Sequence, residues 1–192
     1  ALAIGLPLVL GAAGWQALTM IGYMAPTSEH HEASYPWHGA EIGLNVSSGS
    51  VTVVAGDNAT VEVAYTEHYQ LKKPTVSAAT ADGGVQLNAT CPGGIFSNNC
   101  EINYTVTLPS SAHVVVHTGD GGVDIAGVTG GLEINTGDGG ISLDNVSGDL
   151  AARTGDGGIS ATRLLSTSVQ AKTGDGGIHL EWAAAPTSVT AT

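Results

Sequence analysis

The sequence predicts an all-β protein: a parallel β-solenoid, or β-helix, with 18-residue coils of two short strands, preceded by an N-terminal transmembrane helix. Three observations predict it. The pentapeptide TGDGG occurs four times, beginning at Thr118, Thr136, Thr154 and Thr173, at spacings of 18, 18 and 19 residues. From Gly121 the chain divides at its glycines into nonapeptides (GGVDIAGVT, GGLEINTGD, GGISLDNVS, GDLAARTGD, GGISATRLL, GGIHLEWAA), with one ten-residue exception, STSVQAKTGD. The stretch from Ala1 to Ser28 carries no charged side chain.

The segment Leu2 to Met24, LAIGLPLVLGAAGWQALTMIGYM, is long enough to cross a bilayer as a helix, which takes about 20 apolar residues. A signal-peptide core is shorter, about 7–15 residues, and a buried core helix is the third alternative. Length favours a membrane anchor over residues 1–25. The chain opens on Ala with no basic flank, so a cytoplasmic end is expected before it. The flank that follows (Glu29, His30, His31, Glu32) lacks Lys and Arg, which fits the outer side of a membrane. Residues 26–40, PTSEHHEASYPWHGA, are polar, contain two prolines and show no periodicity, so they read as a linker.

From Glu41 the pattern changes to period two. Ile42, Leu44 and Val46 alternate with Gly43 and Asn45, and Val51, Val53, Val61, Val63 and Tyr65 continue the pattern around a GDN turn. Val85, Leu87 and Ala89 follow, then Ile102, Tyr104, Val106 and Leu108. Such alternation marks strands with one buried face. The β-domain therefore spans 41–192, with less regular strands over 41–109 and regular nonapeptide coils over 110–192.

Positions three and five of the nonapeptides are apolar, as are the equivalent positions four and six of the ten-residue unit: Val123/Ile125, Leu132/Ile134, Ile141/Leu143, Leu150/Ala152, Ile159/Ala161, Val169/Ala171 and Ile178/Leu180. Residues two apart on a strand point to one face. A nonapeptide is thus one strand plus a corner, and two make a coil. Successive coils pair in parallel and stack these residues inside as ladders. The register predicts two outward ladders: His117, Asn135, Arg153 and Lys172 on one sheet, and Asp124, Ser142, Ser160 and His179 on the other. The extra residue near Ser166 is expected to bulge at a corner without shifting the inner ladder. The chain stops at PTSVTAT in mid-pattern, and further coils are expected after it.

Composition narrows the function. Five Lys and Arg against 17 Asp and Glu give a net charge of −12. That disfavours nucleic acid as a partner, which needs a basic footprint, and anionic lipid head groups. With 28 glycines and one Phe, the chain suits stacked Val, Ile, Leu and Ala better than a large aromatic core. Cys91 and Cys100 flank PGG and SNN turn signals. An even pair in a loop of an exported domain reads as a disulfide. A two-Cys metal site would lack further ligands, and CxxC spacing is absent.

The TGDGG copies place Thr118, Gly119 and Asp120 at a corner equivalent to Thr136, Gly137 and Asp138, to Thr154, Gly155 and Asp156, and to Thr173, Gly174 and Asp175. A row of aspartates offers oxygen ligands to a hard cation such as calcium. Alternatively, Asp and Gly suit a corner that needs an Asx-type bond and positive φ. The calcium-binding roll repeats GGxGxDxUx, whereas the fourth position here is never Gly and the sixth is not regularly Asp. Corner chemistry is the expected role. Parity turns the threonines inward, where a hydroxyl ladder would bond the corner backbone, in contrast to the outward threonine columns of ice-binding faces. GDGG precedes a strand and not a helix, which excludes a P-loop.

His30 and His31 fall in the flexible linker beside Glu29 and Glu32. His113 and His117 fall on a solvated outer face with no acid at the matching register. Arg153 and Lys172, with Glu133 on an adjacent ladder, are too thin a set for catalysis. No catalytic, cofactor-binding or metal-ligating residue is assigned, no cofactor is expected, and an enzyme is not. Asn45, Asn58, Asn88, Asn103 and Asn145 begin Asn-X-Ser/Thr sequons, which matter only in a glycosylating source.

Taken in order, the opening block NVSSGSVTVVAGDNATVEVAYTEHY, the KKPTV step, the CPGG…C loop, the INYTVTLPSSAHVVVHTGDGG segment and the GDGG-punctuated coils resemble the bacterial "putative adhesin" family of domains of unknown function. The likeness covers about residues 40–192 and is strongest to its actinobacterial membrane-anchored members. It implies a right-handed parallel β-solenoid outside the cell membrane, with no established activity and no catalytic residues to carry over. The expectation is a single-pass, surface-displayed module with an adhesive, binding or structural role. Its partners would be the membrane, through the N-terminal helix, and a surface or envelope protein or a glycan. An envelope-stress or signalling accessory is the alternative from another class, and a carbohydrate-active enzyme on a β-helix is the third.

Overall fold

The structure is a computed structural model that describes residues 25–56, 59–93 and 99–192. The expected transmembrane helix lies outside the described residues, apart from position 25, and so does the sequon at Asn58. Among the described residues no helix is long and apolar enough to cross a membrane.

The described regular elements are all strands. They are β1 (Thr27–Pro36), β2 (Ile42–Val46), β3 (Val51–Gly56), β4 (Thr60–Tyr69), β5 (Thr75–Ala81), β6 (Gly84–Thr90), β7 (Glu101–Pro109) and β8 (Val114–Thr118). The repeats continue with β9 (Val123–Ala126), β10 (Leu132–Thr136), β11 (Ile141–Asp144), β12 (Leu150–Thr154), β13 (Ile159–Leu164), β14 (Ser168–Thr173), β15 (Ile178–Trp182) and β16 (Ser188–Ala191). They form two eight-stranded sheets. The first has the order β1-β4-β7-β3-β9-β11-β13-β15 and the second β16-β14-β12-β10-β8-β2-β6-β5.

In the repeat region each coil gives one strand to each sheet. Leu132 pairs with Leu150 and Ile134 with Ala152 in the second sheet, and Ile141 pairs with Ile159 in the first, all in parallel. The apolar ladders up to Val169 and Ala171 are buried. Burying a Val, Leu or Ile contributes roughly 1.5–3 kcal/mol, but a single coil has no facing layer to bury against, so the stack supplies it. Both outward ladders occur as expected. His117, Asn135, Arg153 and Lys172 are register partners, and so are Asp124, Ser142, Ser160 and His179.

The less regular half does not stack in chain order. β2 pairs in parallel with β6 on one side and β8 on the other. β3 does the same with β7 and β9. The β2–β3 coil, first in sequence, is therefore interleaved between the β6–β7 coil and the first regular coil. Beyond β6–β7, antiparallel strands take over: β4 on β7, β1 on β4 and β5 on β6.

β1 corrects the linker assigned to residues 26–40. Its alternation exists but is written in polar residues: Glu29, His31, Ala33 and Tyr35 are half-buried while their neighbours are exposed. Pairing with β4 and packing of Tyr35 and Trp37 against the core supply what the apolar pattern did not announce.

The TGDGG corners form as expected, but for a different reason. None of their glycines has positive φ. A Cβ on Gly121, Gly139, Gly157 or Gly176 would lie 1.7, 1.9, 2.1 or 2.0 Å from a glycine carbonyl oxygen of the coil stacked beneath. Glycine is required because backbone rests on backbone. Positive φ occurs instead at the equivalent positions Gly127 and Asn145, just past β9 and β11, and Arg163, near the end of β13. The extra residue falls at the corner between Leu164 and Ser168, and Val169 still pairs with Leu150. A second irregularity was not foreseen: β15 lacks one residue relative to β13, so Ala161 pairs with Leu180 but Leu164 with Trp182.

Cys91 and Cys100 form a disulfide with a Cα–Cα distance of 5.8 Å. It closes the corner between β6 and β7, in the outermost parallel coil.

Candidate functional site

The corner threonines face inward, as parity predicts. Thr118, Thr136 and Thr154 are buried and Thr173 is half-buried. Each hydroxyl donates to a glycine carbonyl of the coil beneath: Thr136 to Gly121 at 2.9 Å, Thr154 to Gly139 at 2.8 Å, Thr173 to Gly157 at 2.8 Å and Thr118 to Gly49 at 3.3 Å. In three copies the same oxygen accepts the N–H three residues on, from Gly139, Gly157 and Gly176. The hydroxyl thus plays the part that the sequence suggested for an Asp carboxylate. Asp120, Asp138, Asp156 and Asp175 are exposed. They do not converge into a group of three or more ligand atoms.

The outer face of the second sheet carries His117, Asn135, Arg153 and Lys172. The Nδ2 of Asn135 lies 3.4 Å from the Nε2 of His117 and 3.5 Å from Glu133. Arg153 and Lys172 are adjacent across the β12–β14 pair and exposed. Among the described residues neither is within ion-pairing distance of a carboxylate, whereas Arg163 pairs with Asp144 and Lys73 with Glu29 and Glu67. Near His113 the structure differs from expectation: Glu41 lies at its register, with its Oε2 4.0 Å from the His113 Nε2. The acid precedes β2, a strand whose place beside β8 the chain order conceals.

A polar cluster at the capping end was missed altogether. β1 and β4 set Glu29 opposite Glu67 and His31 opposite Tyr65 on the inward side. The Glu67 side chain is 3% exposed. Lys73, from the turn between β4 and β5, reaches Glu29 Oε2 at 2.6 Å and Glu67 Oε2 at 3.3 Å. The Tyr69 hydroxyl donates to Glu29 Oε1 at 2.6 Å. The His31 ring stacks on Tyr65 at 4.8 Å, and Tyr65 meets Tyr104 at 5.3 Å. Hydrogen bonds from Lys73, then Tyr69, hold the Glu29 carboxyl below the usual range. The same bonds push the Lys73 ammonium and the Tyr69 phenol up. Burial pushes up the Tyr65 and Tyr104 phenols, and the Glu67 charge adds to both effects.

Beside the cluster, Tyr35, Val63, Tyr65, Val76, Leu87 and Tyr104 line a recess of about 270 Å³ between the sheets. One signal for the cluster was available. Val61, Val63, Tyr65, Glu67 and Tyr69 share a parity, so Glu67 is a carboxylate on the buried phase.

No curated protein matches the chain. A crystal structure of a "putative cell adhesion protein" from Clostridium sporogenes superposes with a TM-score of 0.53 at 14% identity, covering 86% of this chain and 99% of that one. A "putative adhesin" from Bacteroides fragilis gives 0.33 at 13% identity, covering 85% and 97%. A "putative lipid binding protein" from Parabacteroides distasonis gives 0.32 at 13% identity, covering 86% and 97%. At these identities the first likeness concerns fold alone. The family model described as Toastrack DUF4097 matches residues 40–192, from the approach to β2 through the last coil, and the chain therefore belongs to the Toastrack DUF4097 family.

Proposed function

We propose that the chain is a membrane-anchored, extracytoplasmic β-solenoid that works as a non-enzymatic binding or adhesive module, with the outer face of the second sheet as its contact surface. The observation that carries this reading is the Arg153–Lys172 pair. In a protein of net charge −12, two neighbouring cations stand exposed on a regular sheet without carboxylate partners among the described residues. Like charges side by side on a sheet disfavour each other, and an anionic ligand would relieve that repulsion. A glycan or envelope protein presenting carboxylate or phosphate groups at the strand spacing, about 4.8 Å, suits the ladder. Two further features support the location: the Cys91–Cys100 disulfide, since such bonds persist outside the cytosol, and the uncharged N-terminal stretch. The name "putative cell adhesion protein" given to the Clostridium sporogenes structure favours the adhesive form of this reading.

The test is capture of envelope fractions on the immobilised full chain. Envelope glycan or protein should be retained at low salt and released as ionic strength rises, and Arg153→Ser with Lys172→Ser should lose it. Equal capture by the double variant would move the contact surface elsewhere. A membrane-impermeant thiol reagent, applied to whole cells after mild reduction, should label Cys91 and Cys100. Labelling only after lysis would place the domain inside.

A further inference from the structure

We propose that Glu29, His31 and Glu67 form a binding site for a divalent transition-metal ion of the zinc class, whose place the Lys73 ammonium takes when no metal is bound. Glu29 and Glu67 are direct cross-strand partners of an antiparallel pair, where like charges oppose each other. Glu67 is almost wholly buried, and a buried carboxylate needs a positive partner. The site is thus built around a cation.

Lys73 meets this demand incompletely. The Nε2 of His31 is shielded from water and lacks a hydrogen bond, and so does Glu67 Oε2, whose nearest cation is Lys73 at 3.3 Å. The His31 nitrogen lies 3.6 Å from Glu29 Oε2 and 4.0 Å from Glu67 Oε1. One donor atom from each of the three residues falls within 4.8 Å of the others. Ligands bonded at about 2.0–2.2 Å to a tetrahedral ion sit roughly 3.3–3.6 Å apart. Small side-chain rotations therefore suffice.

The surroundings fit a metal site in two further respects. Stacking on Tyr65 fixes the His31 ring, and the Tyr69 hydroxyl holds the second oxygen of Glu29. Outer partners of this kind orient metal ligands. An imidazole with two carboxylates favours zinc over calcium or magnesium, which prefer all-oxygen shells. Lys73 is half-exposed and comes from a turn, so its ammonium can withdraw to solvent when an ion arrives.

Competition by Lys73 gives the proposal its test. Zinc chloride is titrated calorimetrically into the metal-free full chain, with magnesium and calcium chloride as comparisons. One equivalent of zinc should bind, with no response to the other two ions at equal concentration. His31→Gln should weaken zinc binding at least tenfold. Lys73→Gln should strengthen it about tenfold or more, because the competing cation is gone. Unchanged affinity in His31→Gln would overturn the site, since zinc would then sit on other histidines. Weakened or unchanged affinity in Lys73→Gln would overturn the proposal, since an ion held by Glu29 and Glu67 must displace that ammonium. Should His31→Gln fail to fold, the Lys73→Gln titration alone still decides.

Discussion

Within TGDGG the glycines are not equivalent residues. A Cβ on Gly139 would lie 1.9 Å from the Gly121 carbonyl oxygen, whereas one on Gly177 would meet nothing within 4 Å. Overpacking against backbone costs typically 1–3 kcal/mol or more. Removing glycine's freedom from the unfolded chain, at a site that tolerates a side chain, stabilises by roughly 0.4–1 kcal/mol. Gly139→Ala should therefore lower stability by about 2–3 kcal/mol in denaturant melts, while Gly177→Ala should be neutral or slightly stabilising. Equal effects of the two would mean that the coils do not rest on each other as described. The repeat thus reads as T-G-D-G-G with two glycines held by contact and the last held by nothing comparable.

At the scale of elements, the capping strands are joined by charge as much as by apolar packing. Glu29 on β1 and Lys73 on the turn before β5 stabilise each other, and both pKa shifts favour the ionised forms. The depressed Glu29 value gives a contribution that is complete above the usual carboxylate value of about 4.5 and is lost as pH falls through the folded value. The raised Lys73 value gives one that is complete below about 10.5 and is lost as pH rises through the folded value. The raised phenols of Tyr65, Tyr69 and Tyr104 weaken the fold in the same alkaline direction. The melting midpoint should fall below pH about 4.5, and Glu29→Gln should flatten that limb. An acid limb as steep in the variant would assign the loss to other carboxylates.

These elements also mark the limit of what the sequence disclosed. The repeat ladders were legible because period two, period nine and inward apolar residues all agree, as at Leu132, Ile134, Ile141 and Leu143. β1 was not, because its inner phase carries Glu29 and His31, whose partial burial depends on Lys73 and Tyr65 from other segments. The neighbours of β2 were hidden for another reason. Pairing of Asn45 with both Asn88 and His117 is a fact of topology, and no local pattern encodes it. His113 meets Glu41 through that same topology. The outward ladders, by contrast, follow from spacing alone.

For the whole molecule, the stack behaves as a one-dimensional array beyond β8. Each coil touches chiefly its two neighbours, so stability is close to a sum of coil and interface contributions. Deleting residues 137–154 joins Thr136 to Gly155 and leaves every inner ladder in register. The shortened chain should fold with the same strand signature, and its denaturant m-value should drop by roughly a tenth, in proportion to the surface removed. Loss of cooperative melting in that variant would show that the coils are not interchangeable.

The interleaved β2–β3 coil has a consequence for the order of events during synthesis. Its strands leave the ribosome ahead of every other strand of the parallel stack, yet β2 gains its two neighbours only with β6 and then with β8, which ends at Thr118. At about 5–20 residues per second, roughly 4–14 s separate completion of β2 from completion of β8. One edge of the earliest parallel coil stays open over that whole interval and the other until β6 and β7 are made, and the loops to be closed are long. Nucleation must therefore wait until most of the irregular half exists. After that point every new coil finds a finished edge, and assembly proceeds in one direction at the pace of translation.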